Sequence, residues 1–350
     1  ATAPFVTDAI RKRCENEVLG YTGKPDSYYN AIINWVKQRY DLIVTKEVIN
    51  FVPGIVPGIG MAMNCFTQKG DKVMIQPPVY HPFAWVTTRN ERTLVINPLK
   101  WENGMYRMDL DAFREQIKGC KLFILCNPHN PGGVVWTEAE LRAIADICYD
   151  EKVLVFSDEI HADLTLPPHT HRPFATVSEK ARMNSVTFMS PSKAFNMPGL
   201  SASHALIFNE DLRKRFRIYM DAGELDMGHV FAFLSVEAAY SHGTEWLDQC
   251  LAYIQGNIDF VDEFLKKHAP KIKAIRPEAS YLVWLDCREL ELSQKDLNEF
   301  FVDKAHLALN DGEMFGKEGI GFMRLNVASP RCIIEKAMKQ LADAYQLYIK

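Results

Sequence analysis

Three short apolar runs, residues 121–126, 153–156 and 185–189, each stop at a polar cluster, and this pattern limits the possible folds more than any other feature. The first run is followed by Asn127-Pro128-His129-Asn130-Pro131-Gly132-Gly133, the second by Ser157-Asp158-Glu159-Ile160-His161, and the third by Ser190-Pro191-Ser192-Lys193. Near-continuous apolarity is what a strand needs when helices cover both faces of a parallel sheet. Open α/β sheets bind their ligands beyond the carboxyl ends of such strands. The polar clusters therefore mark one sheet edge as the candidate site.

The segments between these runs supply the covering layers. Residues 7–17 and 27–40 have helical periodicity, the second with Tyr28, Ala31, Ile32, Trp35 and Val36 on one face, and Gly20-Tyr21-Thr22-Gly23 turns between them. A strand at 48–52 leads through Pro53-Gly54 into a helix that Ile55 and Val56 open and that runs through Phe66. Such a turn presents free backbone N–H groups to an anion, although it also serves packing alone. After a strand at 73–76, the prolines of Pro77-Pro78-Val79-Tyr80-His81-Pro82 stop the strand and hold Tyr80 in a stiff extended loop. A strand at 93–97 and a helix at 110–117 follow, and Thr137 with Glu140 forms a capping box for a helix through about Tyr149.

A strand at 204–208, an exposed-looking basic helix at 211–221 and helices at 230–240 and 245–267 come next. Short strands at 272–275, 282–285, 308–310 and 321–327 then alternate with helices at 294–304 and 333–348, a change of pattern that reads as a smaller α+β unit. The class is α/β, with a large domain over 16–243 and a small α+β domain formed by 1–15 and 244–350. A chain of 350 residues is long enough for two such cores.

Composition narrows the partners. Hydrophobic residues make up 47% of the chain without an apolar run long enough to cross a bilayer, so a soluble globular protein is expected, with no membrane partner. The formal net charge of -4, with interspersed signs and no basic stripe, argues against a nucleic-acid partner and leaves small molecules as the expected ligands. Eight scattered cysteines without a C-x-x-C pair read as free thiols in a reducing compartment, hence a cytoplasmic protein. The chain begins without Met and enters a helix-like segment almost at once, so a further N-terminal piece is expected. His161, His169 and His171 near Asp158 and Glu159 invite a metal reading, but no other ligand run supports it and no metal is expected.

Taken alone, Lys193 would be a surface lysine in a turn. Asn130-Pro131-Gly132, Ser157-Asp158-Glu159-Ile160-His161, Ser190-Pro191-Ser192-Lys193 with Phe195 and Gly199, and Phe322-Met323-Arg324-Leu325 nevertheless occur in this order and in these strand contexts. The ordered set resembles the fold-type-I enzymes dependent on pyridoxal 5'-phosphate, the class I/II aminotransferase superfamily, over essentially the whole chain. Ser-Asp-Glu-Ile-His, Gly-Tyr-Thr and Gly-Ile-Val-Pro-Gly look most like its MalY/PatB-type cystathionine β-lyases, the C-S lyase branch.

The resemblance assigns roles that the chemistry of the residues allows. Lys193 would hold the cofactor aldehyde and, once freed, take the substrate's α-proton, because a lysine's charge is readily suppressed in a cleft. Asp158 would keep the pyridine nitrogen protonated so that the ring draws electrons. Tyr80 would stack on that ring, and Asn130 and His161 would lie near its hydroxyl, Asn130 as the direct donor. The phosphate would sit at the helix opened by Ile55 and Val56, with Ser190 and Ser192 adding hydroxyls. Tyr21 would reach a neighbouring subunit's cofactor phosphate, which implies a homodimer with shared active sites. Arg324 would grip the substrate α-carboxylate through two parallel hydrogen bonds. One departure is Ser201, where many aminotransferases carry a phosphate-binding arginine. Together with the branch-level details it favours elimination from cystathionine or a related S-substituted cysteine, with transamination as the alternative and a regulatory binding role on the same fold as a third.

Overall fold

In the computed structural model, which describes residues 1–348, α1 (Pro4–Cys14) and α2 (Asp26–Tyr40) precede β1 (Ile49–Val52), α3 (Ile55–Phe66) and β2 (Lys72–Ile75). They are followed by α4 (Pro82–Arg89), β3 (Thr93–Ile96), the hairpin β4 (Lys100–Glu102) and β5 (Met105–Arg107), and α5 (Leu110–Gln116). The three apolar runs become β6 (Cys120–Cys126), β7 (Leu154–Asp158) and β8 (Ser185–Met189), with α6 (Glu138–Asp150) and α7 (Glu179–Met183) between them. Then come β9 (Ser203–Leu206), α8 (Glu210–Asp221), α9 (Val230–His242) and α10 (Thr244–His268). The remainder is β10 (Lys273–Ile275), β11 (Leu282–Asp286), α11 (Gln294–Glu299), β12 (Asn310–Asp311), β13 (Phe322–Asn326) and α12 (Arg331–Tyr348).

Seven strands form the main sheet in the order β1-β9-β8-β7-β6-β2-β3, with β7 at its centre. From β3 to β8 every pairing is parallel, and β9 runs antiparallel to both its neighbours. Side chains alternate across this sheet as the strand period requires. Leu122, Ile124, Phe156, Val186 and Phe188 pack with Ile59, Ala62 and Met63 of α3 and Phe216 of α8. Phe123, Leu125 and Val155 pack on the other face with Phe113 of α5 and Leu141, Ile144 and Cys148 of α6. Each large side chain so buried contributes about 1.5–3 kcal/mol, so both helical layers are held to the sheet by its own apolar runs.

Register places the polar clusters side by side. Cys126 pairs with Asp158, and Asp158 with Phe188, so β6, β7 and β8 end level and their following loops leave the same edge together. The second, four-stranded sheet has the order β10-β11-β13-β12 and is antiparallel throughout. Trp284 of β11 stacks on Phe322 of β13 at 5.3 Å, and its indole N–H donates to the Tyr106 hydroxyl at 3.2 Å. These aromatics join the core that contains Phe123 and Leu125, which docks the small sheet against the large one. Phe5 of α1 stands edge-on to both Phe195 and Trp246.

Besides shifted ends, such as α1 closing at Cys14 and β12 opening only at Asn310, four local readings differ from the structure. The strand expected at 153–156 continues through Asp158, because β6 and β8 extend the ladder on either side. The segment after Tyr80 enters α4: Pro82, read as a stiffening residue, occupies the helix start, where its missing N–H costs nothing. The unforeseen β4–β5 hairpin turns at Asn103-Gly104, with φ of 50° and 81°, the left-handed pair that a two-residue hairpin needs. The single helix expected at 294–304 is α11 followed by a π-helical turn at Phe300–Lys304. All eight cysteines are free thiols, and no helix among the described residues is long and apolar enough to cross a membrane.

Candidate active site

The level ends of β6, β7 and β8 open into a cavity of about 500 Å³, closed on one side by the start of α3 and on another by Tyr281 and β13. Ile55, Val56, Tyr80, Asn130, Asp158, His161, Ser192, Lys193 and Arg324 all line it. These residues come from segments scattered along the chain; the level register gathers those that follow β6, β7 and β8, and the docked second sheet brings Arg324.

Asp158 and Glu159 show how the end of β7 sorts two adjacent carboxylates. Glu159 turns away from the cavity and is fully satisfied: the Ser157 hydroxyl and the Phe174 N–H each donate to Oε1 at 2.8 Å, and His171 Nε2 lies 2.8 Å from Oε2. Asp158, only 3% exposed, faces the cavity and receives a single bond, from the Ile160 N–H at 3.1 Å. Burial raises its pKa to about 7, against which the Ile160 N–H and the Lys193 charge act. A buried carboxylate so poorly paired is a place for a cation or a protonated ring nitrogen.

Lys193 sits just past β8, half-buried. Burial and the charge of Arg324 lower its pKa below the usual lysine value, with Asp158 opposing. Such an amine is more often free to act as nucleophile or base. His161, on the loop after β7, is driven to a pKa of about 3 by burial and then by Lys193 and Arg324, and its Nδ1 is buried without a partner.

Arg324 enters from β13. Its Nη1 donates to Asn130 Oδ1 at 2.9 Å and its Nη2 to Asn310 Oδ1 at 2.8 Å, and the guanidinium lies 4.6 Å from the centre of the Phe315 ring. Burial lowers its pKa to about 10, so it remains a cation, and its Nε is buried with no partner. With its amide oxygen taken by Arg324, Asn130 keeps its NH₂ group to donate. Tyr80 stands edge-on to Phe83 at 5.8 Å, and burial lifts its phenol above the ordinary tyrosine value.

At the far side, α3 begins without any side-chain cap, so the first backbone N–H groups at Ile55 and Val56 are open. Gly54, at φ 126°, makes the turn into this helix, a backbone angle that a side chain rarely adopts. Ser192, Ser201 and Ser203 line the same cavity.

Two sequence candidates lie elsewhere. The Ser190 hydroxyl donates to the Ala202 carbonyl at 2.7 Å and accepts from the Ser192 N–H at 3.1 Å, which ties the loop together rather than facing the cavity. Tyr21 is 99% exposed and lies beside Met227 and Phe231, outside the cavity wall. Conversely, sequence reasoning left out His81, Cys126, Tyr281 and Asn326, all of which line the cavity. His81 had the signal of following Tyr80; the other three carry none, because only register and the docking of the second sheet bring them here. The His161, His169 and His171 set is dispersed, and no group of three His, Cys, Asp or Glu side chains among the described residues could hold a metal ion.

An uncapped helix start for an anion, an unpaired carboxylate, an orphaned imidazole nitrogen and a suppressed amine together match a phosphorylated, nitrogen-containing aldehyde. Comparison with known proteins follows the same line. The sequence pattern described as "Aminotransferase class I and II" matches residues 3–341. Cystathionine beta-lyase PatB of Bacillus subtilis (strain 168) is 37% identical over 341 residues, spanning 97% of this chain and 88% of that protein. The structure of cystalysin from Treponema denticola, which contains a pyridoxal 5'-phosphate cofactor, superimposes with a TM-score of 0.97 at 34% identity, covering 100% of this chain and 89% of that one. A PLP-bound C-S lyase from Staphylococcus hominis gives a TM-score of 0.91 at 33% identity, covering 98% of this chain and 88% of that one.

Proposed function

This chain belongs to the aminotransferase class I and II family, and from that premise we propose that it is a pyridoxal 5'-phosphate-dependent carbon–sulfur β-lyase. It cleaves cystathionine or a related S-substituted cysteine into a thiol, pyruvate and ammonia. The observation that carries this reading is the meeting of a suppressed amine, an unpaired buried carboxylate and a buried guanidinium in one cavity. The identity to a cystathionine beta-lyase, and Ser201 where many aminotransferases have an arginine, favour elimination over transamination.

The coenzyme, when bound, supplies an electron sink for the pair released at the substrate's Cα. Lys193 would hold it and then take the Cα proton on its free amine. Asp158 would keep a proton on the ring nitrogen. Tyr80 would cover the ring, and Asn130, with its amide N–H free to donate, would face the ring oxygen with His161 close by. The open N–H groups of Ile55 and Val56, with Ser192, would receive the phosphate. Arg324 binds the substrate α-carboxylate and so orients the Cα–H bond.

Tyr21 is best explained by a partner. Its full exposure, next to the exposed Val18, Leu19 and Met227, supports a homodimer in which it reaches the other subunit's phosphate. Free cysteines throughout support a cytoplasmic setting.

The test is to supply the purified protein with cystathionine and no keto acid. Steady, multi-turnover release of pyruvate and homocysteine is expected, and Lys193→Ala should abolish it while leaving the fold intact. Turnover that appears only when a 2-oxo acid is added would overturn the lyase reading in favour of transamination.

A further inference from the structure

We propose that His81 donates a ring N–H to the sulfur atom as it departs from Cβ, which makes it a specificity-determining residue for S-substituted substrates. The assignment rests on the lyase reading above. His81 lines the cavity beside Tyr80 and Arg324, and its ring is clamped by Trp85 at 4.4 Å, Tyr80 at 5.4 Å and Phe315 at 5.7 Å. Phe315 also carries the Arg324 guanidinium on its face. One aromatic ring therefore sets the spacing between the group that takes the α-carboxylate and the imidazole. Nδ1 of His81 is buried with no partner, and Nε2 makes no hydrogen bond to the described residues, so Nε2 is the ring nitrogen left for a ligand.

Most other proton-bearing groups of the cavity have another task. Lys193 takes the α-proton, Asp158 and His161 serve the ring, and Arg324 is held by Asn130 and Asn310. Cys126 is buried, its sulfur accepting from the Asn130 N–H at 3.3 Å. Tyr80 covers the ring, and Tyr281 packs edge-on against His161 at 6.1 Å. Burial, and then Arg324, keeps His81 below the ordinary histidine value, so at neutral pH it is an uncharged N–H donor rather than a cation. When the C–S bond breaks, its electron pair goes to sulfur, and the pair left by the α-proton forms the Cα–Cβ double bond. The thiolate, stabilised by the His81 N–H, takes a proton from solvent as it leaves.

Departing groups differ in how much they need such a donor, and this separates the proposal from a packing role. S-ethylcysteine releases a basic alkyl thiolate, whereas S-(4-nitrophenyl)cysteine releases a weakly basic aryl thiolate. His81→Phe keeps a ring between Trp85 and Phe315, and should lower kcat on the ethyl substrate by about a hundredfold and on the aryl substrate by far less. His81→Asn, which restores an N–H, should recover much of the ethyl turnover. Equal losses on both substrates would overturn the assignment while leaving the lyase reading standing, and absence of pyruvate from either substrate with the unmodified enzyme would overturn both. Independently of turnover, ¹⁵N spectra of the histidine-labelled holoenzyme should show the resonance missing from His81→Asn shift on addition of ethanethiol. A resonance that does not move would also overturn the proposal.

Discussion

Asp158 and Glu159 are chain neighbours whose carboxylates meet opposite surroundings, and the difference has a measurable sign. Asp158 titrates near pH 7 in the cofactor-free fold, against 3.8 when unperturbed. Its folded pKa is raised, so the stability it contributes is complete below about pH 4 and is lost as pH rises through 7. In cofactor-free protein, Asp158→Asn should therefore resist urea better than the unmodified chain at pH 8, by on the order of 4 kcal/mol. The two unfolding curves should converge near pH 4, and a gap that instead widens in acid would contradict this account. Arg324 acts on the substrate: Arg324→Ala should raise KM about a hundredfold, or about 3 kcal/mol of lost charged hydrogen bonding. The coenzyme's visible absorbance should remain. Loss of the coenzyme along with substrate capture would place Arg324 in cofactor binding instead.

At the level of elements, most helices and strands were legible from periodicity, and the exceptions have local causes. Thr137 and Glu140 announced α6, and both halves of their capping box are present. Pro82 was read as part of a stiff loop, yet its fixed φ also starts α4. The junction of α9 and α10 makes a sharper demand at Gly243. Its φ of -86° suits any residue, but an added Cβ would run into the carbonyl oxygen of Ala239 and the ring of Phe195. The carbonyl belongs to α9 and cannot swing away without breaking the helix. Gly243→Ala should therefore cost about 2–3 kcal/mol, an overpacking penalty visible as a lower urea midpoint. An unchanged midpoint would mean that the two helices can separate freely.

For the whole molecule, the proposed dimer with shared sites makes a prediction that no single-chain feature could. If Tyr21 serves the partner's phosphate, Tyr21→Phe and Lys193→Ala homodimers should each be impaired, whereas subunits mixed after mild dissociation should regain activity. Each mixed dimer has one site with both an intact lysine and an intact tyrosine. Failure of the mixture to exceed its components would remove Tyr21 from the site.

The sequence by itself determined the class of sheet, the level of burial of its central strands, and the residue types waiting at their ends. Apolar runs and turn residues act locally, and their physics can be read a few residues at a time. It also sufficed to nominate Lys193, Asp158, Asn130 and Arg324, because their order along the strands carries the resemblance. What only the tertiary structure decided was which groups meet. The register Cys126–Asp158–Phe188 brings three loops to one edge, and the stacking of Trp284 on Phe322 carries Arg324 to it. Whether Asp158 or Glu159 is left unpaired depends on His171 and Phe174, and whether Ser190 faces the cavity depends on Ala202. His81 becomes available because Trp85 and Phe315 clamp its ring and no described residue bonds its Nε2. Such contacts join residues far apart in the chain, and no local pattern encodes them.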